Sequence, residues 1–200
     1  MKELFAEIER VLPDGGQWCD LEKAQTLAAI VVALRPRIVV EIGVWLGGSL
    51  VPMLLAMKHV GTGRAIAIDP WSKQASVVDQ EGENLEWWGK VDHEATYRKF
   101  VARLELHELQ HLCTICHRTS DQCDPPAEIQ LLHLDGNHGP QAVRDVERYA
   151  TKITSGGILV FDDLDWSGGN VRAAARRAVE LGFRELYPLG TGVVMQRTRA

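Results

Sequence analysis

No stretch of this sequence approaches the roughly 18 apolar residues that a membrane-spanning helix needs. The longest candidate, Leu27 to Leu34, stops at Arg35-Pro36. A basic surplus is missing too: 22 Lys and Arg stand against 27 Asp and Glu, for a formal net charge of -5. Its one dense basic cluster, Arg172, Arg176 and Arg177, reads as the wet face of a helix. Neither a nucleic acid nor a membrane is therefore expected as a partner. Met1 to Glu7 carries acids where a secretory leader would be basic and then apolar, so the expected address is cytoplasmic. Cysteine is scarce: Cys19, Cys113, Cys116 and Cys123. A single C-x-x-C pair without a second gives no zinc site. Cys113 and Cys116 also fall three apart on an expected strand and so point to opposite faces. Reduced, partly buried thiols are the expectation.

What is present is the composition of an ordinary globule, 46% hydrophobic and 24% charged over 200 residues. That is enough for one domain with a sizeable core, and residues 1–200 are read as one. Two helices are expected within 1–34, the second capped by Asp20. Ile38 to Ile42 is a continuous apolar strand broken only by Glu41, of the kind buried on both faces. Further strands are expected at Arg64–Asp69, Leu112–His117, Ile129–Leu134 and Ile158–Phe161, with a terminal pair at Phe183–Leu186 and Gly192–Gln196. Helical segments alternate with them; one opens at Pro140 and carries Val146, Tyr149 and Ile153 on one face. Such alternation predicts parallel strands joined by crossover helices. Residues 70–89, which hold Trp71, Trp87 and Trp88, read as irregular.

Three of the strands end in carboxylates: Asp69, Asp135, and the pair Asp162-Asp163. Ligands of open α/β sheets bind outside the carboxyl ends of the strands, so this chemistry converges on one rim. Glu41-Ile42-Gly43-Val44-Trp45-Leu46-Gly47-Gly48-Ser49 links the first strand to a helix. It lacks both G-x-G-x-x-G and a G-K-[ST] phosphate loop. An acid beside a glycine turn suits a cationic ligand bearing a small carboxylate, to which Ser49 at the helix start could offer its hydroxyl. Asp69 is placed to accept the hydroxyls of a ribose, and Ser120-Asp121 could meet an adenine edge.

In order and spacing, residues 36–197 resemble the class I S-adenosylmethionine-dependent methyltransferases. The likeness is sharpest in Leu134-Asp135-Gly136-Asn137-His138, Val143-x-Asp145 and Gly156-Gly157-Ile158-Leu159-Val160-Phe161-Asp162-Asp163. These runs resemble the subgroup similar to the macrocin and catechol O-methyltransferases and the cephalosporin-hydroxylase-like proteins. The resemblance implies a Rossmann-like, doubly wound, mostly parallel seven-stranded sheet with an antiparallel C-terminal strand. It implies S-adenosylmethionine at Glu41, Gly43, Gly47, Ser49, Asp69, Ser120, Asp121 and Asp135. It also implies Mg²⁺ or Mn²⁺ on Asp135, Asp162 and Asp163, a set of hard oxygen donors. His138 stands where the catechol-type relatives carry a lysine, and with Asp135 it forms the expected catalytic pair, the imidazole acting as base. Metal-assisted O-methylation of a small-molecule hydroxyl, on a sugar or an aromatic ring, is the function this implies. The alternatives are a metal-independent N- or carboxyl-methyltransferase and a binding protein without turnover. Residues 70–90 are expected to cover the acceptor pocket, and a homodimer is compatible with the tryptophan content.

Overall fold

Seven strands form one sheet in the order β3-β2-β1-β4-β5-β7-β6 in the computed structural model, which describes residues 1–16 and 18–198. They are β1 (Ile38–Ile42), β2 (Arg64–Ile68), β3 (Cys113–Cys116), β4 (Ile129–Leu134), β5 (Ile153–Phe161), β6 (Phe183–Leu189) and β7 (Gly192–Arg197). The first five run parallel, and β7 lies antiparallel to both of its neighbours. The chain winds outward from β1 through β2 to β3, then returns to place β4 on the other side of β1. The crevice at that reversal is where ligands of such sheets bind.

Each face of the sheet is covered by helices. On one side lie α1 (Lys2–Val11), α2 (Leu21–Leu34), α3 (Leu50–Val60) and α6 (His93–Leu106), packed around Ile8, Leu27, Leu54 and Phe100. Every residue of α3 from Leu50 to Met57 is buried. A helix apolar all round belongs inside, here between α2 and the sheet. The other face holds α7 (Gln141–Tyr149) and α8 (Asn170–Glu180), whose Val146, Tyr149, Ala174 and Ala178 cover Val40, Leu132 and Leu159. The alternation of strand residues between the two cores follows the two-residue period of a pleated strand.

Three sequence expectations are corrected. Residues 70–89 are not irregular throughout: α4 (Lys73–Ser76) and α5 (Gly82–Lys90) lie within them. Neither helix buries a residue, which left no apolar stripe to read. Ile153 does not close α7 but opens β5, because it pairs with Ile129 of β4; the register then shifts, and Gly156 takes a left-handed conformation. Cys116 and Cys123 are not free thiols but a disulfide, with Cα atoms 6.6 Å apart. The opposed faces of Cys113 and Cys116 are real, and a short turn at Ser120–Gln122 folds Cys123 back onto the Cys116 side. Cys19 and Cys113 remain free, and burial pushes both thiols up to about 12.

Candidate functional site

The sheet ladder continues one residue beyond each strand at the crevice. Gly43 N–H donates to Ile68 O (2.9 Å), Asp135 N–H to Ile42 O (2.9 Å) and Asp162 N–H to Leu134 O (3.1 Å). Asp69 N–H donates to Cys116 O at 3.3 Å. The rim residues are thus level with one another and held by backbone. Above them opens a cavity of about 980 Å³ whose walls include Gly43, Ser49, Asp69, Ser120, Asp121 and Asp135, and also His138, Asp162 and Asp163. Glu41 and Gly47 are not among the residues that line it.

Gly43 shapes the floor. Its φ is +85°, and a Cβ there would lie 2.0 Å from Asp135 O, so only glycine allows β1 and β4 to approach this closely. Gly47 instead makes room for the Phe100 ring. Buried Arg103 supports the same loop, donating to Leu46 O (2.6 Å) and Val11 O (2.9 Å). Asp69 braces it from below: Oδ2 accepts from Val44 and Trp45 N–H, both at 2.9 Å, and Oδ1 from Trp71 N–H at 2.7 Å. Burial raises the Asp69 pKa, and these three N–H groups oppose the rise. A carboxylate oxygen has two lone pairs, so Oδ1 keeps one for a ligand hydroxyl.

Beside Asp69 is a polar corner. Ser120 Oγ donates to Asp145 Oδ1 (2.6 Å), and Gln141 Nε2 lies 2.8 Å from that atom and 2.9 Å from Asp121 Oδ1. Burial pushes Asp145 up to about 6. The Cys116–Cys123 disulfide closes the loop that carries Ser120 and Asp121.

Glu41 is fully buried, and its Oε1 is engaged from within the protein. Ser49 Oγ donates to its Oε1, and His133 Nδ1 lies 2.7 Å from the same oxygen. Glu41 and His133 are register partners on β1 and β4, so the pair follows from the sheet. With its hydroxyl spent on Glu41, Ser49 offers the cavity no free O–H. His133 was not anticipated; a lone histidine within Leu131-Leu132-His133-Leu134, a strand buried on both faces, was the available signal.

At the other end of the cavity the expected carboxylates do converge. Asp135, His138 and Asp163 each bring a ligand atom within 4.8 Å of the others, and so do His133, Asp135 and Asp162. A cation already stands among them. Buried Lys23, on α2, contacts Asp162 Oδ2 and lies 3.5 Å from Asp135 Oδ2. Asp162 Oδ1 accepts from Asp163 N–H (3.1 Å) and Thr191 Oγ (3.2 Å). Asp163 Oδ2 sits 3.3 Å from His138 Nε2, and that imidazole holds the Asp163 carboxyl below its usual range. A dication about 4 Å from the ammonium would meet repulsion of about 8 kcal/mol at an effective dielectric near 20. The donor set does not fit a resident divalent ion. Lys23 too was not anticipated, although stepping the buried Leu27–Val31 stripe back one turn lands on it.

Indoles form the outer wall. All six pairs among Trp18, Trp45, Trp87 and Trp88 have ring centroids 4.9 to 5.8 Å apart. Trp18 is 53% exposed and Trp87 45%, so both leave ring surface for a ligand. Trp71 is a core residue stacked on Phe100, its Nε1–H donating to Trp45 O (2.9 Å). Trp166 packs on the His138 ring with centroids 4.3 Å apart. Asn137 ties the 70–90 segment to the rim by donating to Val78 O at 3.0 Å.

A doubly wound sheet with a glycine turn after β1, an acid after β2 and a large cavity at the switch point defines a nucleotide-cofactor enzyme of the class I methyltransferase type. Residues 40–164 match the family model described as a methyltransferase domain, and the chain belongs to that family as an S-adenosylmethionine-dependent methyltransferase. No curated protein matches it in sequence. Among solved structures it is similar to the O-methyltransferase NovP, at 17% identity, with 90% of this chain and 81% of that one covered and a TM-score of 0.68. The O-methyltransferase TomG from Streptomyces achromogenes, solved with S-adenosylmethionine, superposes at a TM-score of 0.65 with 15% identity, covering 98% and 90%. An O-methyltransferase from Bacillus cereus in complex with S-adenosylhomocysteine gives 0.63 at 13% identity, covering 98% and 91%.

Proposed function

We propose that this enzyme methylates a hydroxyl of a small, ring-bearing molecule, and does so in the cavity at the β1/β4 switch point. The observation that carries the reading is the continuity of that cavity. It runs from the Asp69 and Ser120–Asp121 corner to His138, with exposed indole surface on its outer wall.

S-adenosylmethionine, when bound, supplies a methyl group on a positively charged sulfur. Gly43, by letting β1 and β4 close, forms the floor on which it would rest; the free lone pair of Asp69 Oδ1 would accept a ribose hydroxyl, and Ser120 and Asp121 would face the adenine end. Asp135, half-buried on the rim between the two ends, adds negative charge near the cationic centre. Trp18 and Trp87 hold an acceptor ring by its faces, a large apolar contact at small entropic cost. The 70–90 segment serves as the cover over that ring, anchored at Val78 by Asn137. Closing it excludes water from a displacement that depends mainly on alignment.

His138 takes the acceptor proton. Its Nε2 is buried against Asp163, which leaves Nδ1 for the incoming proton. Asp163 then stabilises the imidazolium, and Trp166 holds the ring plane. The test is transfer of radiolabelled methyl from S-adenosylmethionine to a panel of phenols and sugars. His138→Gln is expected to lower kcat by about 10² to 10⁴, the range for a positioned base, with least effect at high pH. An acceptor that is methylated equally fast by His138→Gln at pH 7 would refute the assignment.

A further inference from the structure

The sequence resemblance implies a divalent ion on the rim carboxylates Asp135, Asp162 and Asp163. Here the rim has another source of positive charge. Lys23 enters from α2, fixed by the first turn of that helix: its own N–H donates to the Asp20 cap at 2.7 Å. The side chain passes through the core side of the rim, and only 6% of the residue is exposed. Its Nζ contacts Asp162 and lies 3.5 Å from Asp135, the two acids at the ends of adjacent strands. The other Asp162 oxygen accepts from Asp163 N–H, the Thr191 hydroxyl lies 3.2 Å from both Asp162 Oδ1 and Asp163 Oδ1, and Asp163 Oδ2 faces His138. The lone pair left on Asp162 Oδ2 lies beside the Lys23 ammonium, where a dication would be repelled rather than held.

We infer that Lys23 is the resident cation of this site, holding Asp135 and Asp162 in place of a divalent ion, and that methyl transfer here is metal-independent. This rests on the methyltransferase reading for its chemistry, but the exchange of ammonium for metal stands on the side-chain geometry alone. Lys23 acts as a positioning residue: it fixes the two carboxylates and balances their charge. Removing it leaves two facing carboxylates and the His133 ring nitrogen within 4.8 Å of one another, a latent ion site.

The test is Mn²⁺ titration of chelator-treated full-length protein, followed by electron paramagnetic resonance. Wild type is expected to bind no stoichiometric Mn²⁺ up to millimolar concentration. Lys23→Ala and the longer Lys23→Met are expected to gain one Mn²⁺ per chain, at least tenfold tighter than wild type, while Lys23→Arg gains none. Stoichiometric Mn²⁺ on wild type at micromolar concentration overturns the inference, whatever the variants do. Folded Lys23→Ala and Lys23→Met that gain no Mn²⁺ overturn it as well. If circular dichroism shows both unfolded, the wild-type titration decides alone. A parallel titration of wild type with S-adenosylhomocysteine keeps the two readings apart, since absence of binding to the folded wild-type protein contradicts the methyltransferase site and leaves the Mn²⁺ result standing.

Discussion

Asp145 is the residue whose burial has the most measurable consequence. The residue is 3% exposed, accepts from Ser120 Oγ and Gln141 Nε2 through Oδ1, and forms no ion pair among the described residues, Arg144 being the weakest of the influences that oppose burial. Burial therefore dominates and lifts its pKa from 3.8 to about 6. The native state holds this proton more tightly than the unfolded chain does. Between pH 3.8 and about 6 unfolding releases it, so the contribution of Asp145 to stability is present at low pH and lost as pH rises. A rise of about 2 units corresponds to roughly 3 kcal/mol once the group is fully ionised. Asp145→Asn keeps an acceptor for both donors and removes the charge. The variant is expected to gain about 2.5 kcal/mol on wild type between pH 4 and pH 7.5, read as the difference of urea-unfolding free energies at each pH. Taking the difference cancels every other titrating group. A difference that stays flat to within about 0.5 kcal/mol, the usual scatter between independent sites, would refute the argument.

The disulfide predicts that unfolded, unreduced protein shows two reactive thiols, Cys19 and Cys113, and four after reduction; four before reduction would contradict it. Cys123→Ser is expected to cost roughly 2–3 kcal/mol in a denaturant titration, the loop-closure value for a short ring. Gly43→Ala and Gly61→Ala both place a side chain at positive φ, but only at Gly43 would the new Cβ collide, 2.0 Å from Asp135 O, while at Gly61 it meets nothing within 4 Å. Gly61→Ala should lose about 1 kcal/mol and keep cofactor affinity; Gly43→Ala should lose clearly more and bind S-adenosylhomocysteine at least tenfold more weakly, and equal losses would count against the close approach.

Much of this fold was legible because its strands are buried on both faces. Ile38–Ile42 and Ile129–Leu134 stand out as apolar runs, and acids mark where they and their neighbours end. The rim carboxylates could be read for the same reason. What escaped depends on partners distant in sequence. The α5 helix is held by Trp87 and Trp88 against Trp18 and Trp45, contacts that no local pattern announces. Ile153 fits the helical spacing of Val146 and Tyr149, and only pairing with Ile129 makes it a strand. Glu41 looked like a cofactor ligand because it precedes the glycine turn, yet alternation along β1 sends it inward to His133. Lys23 shows the same limit: its spacing marks a buried lysine, but only the fold shows which two aspartates receive it.

The central claim is that the cavity over Gly43, Asp69 and Asp135 binds the methyl-donor cofactor, and isothermal calorimetry with S-adenosylhomocysteine in the presence of chelator measures it most directly. The expected result is one molecule per chain, with Asp69→Ala weakened by roughly 1–3 kcal/mol, the value for lost hydrogen bonds to a charged group. Folded wild-type protein that shows no saturable binding, or an Asp69→Ala variant that binds as wild type does, would contradict it.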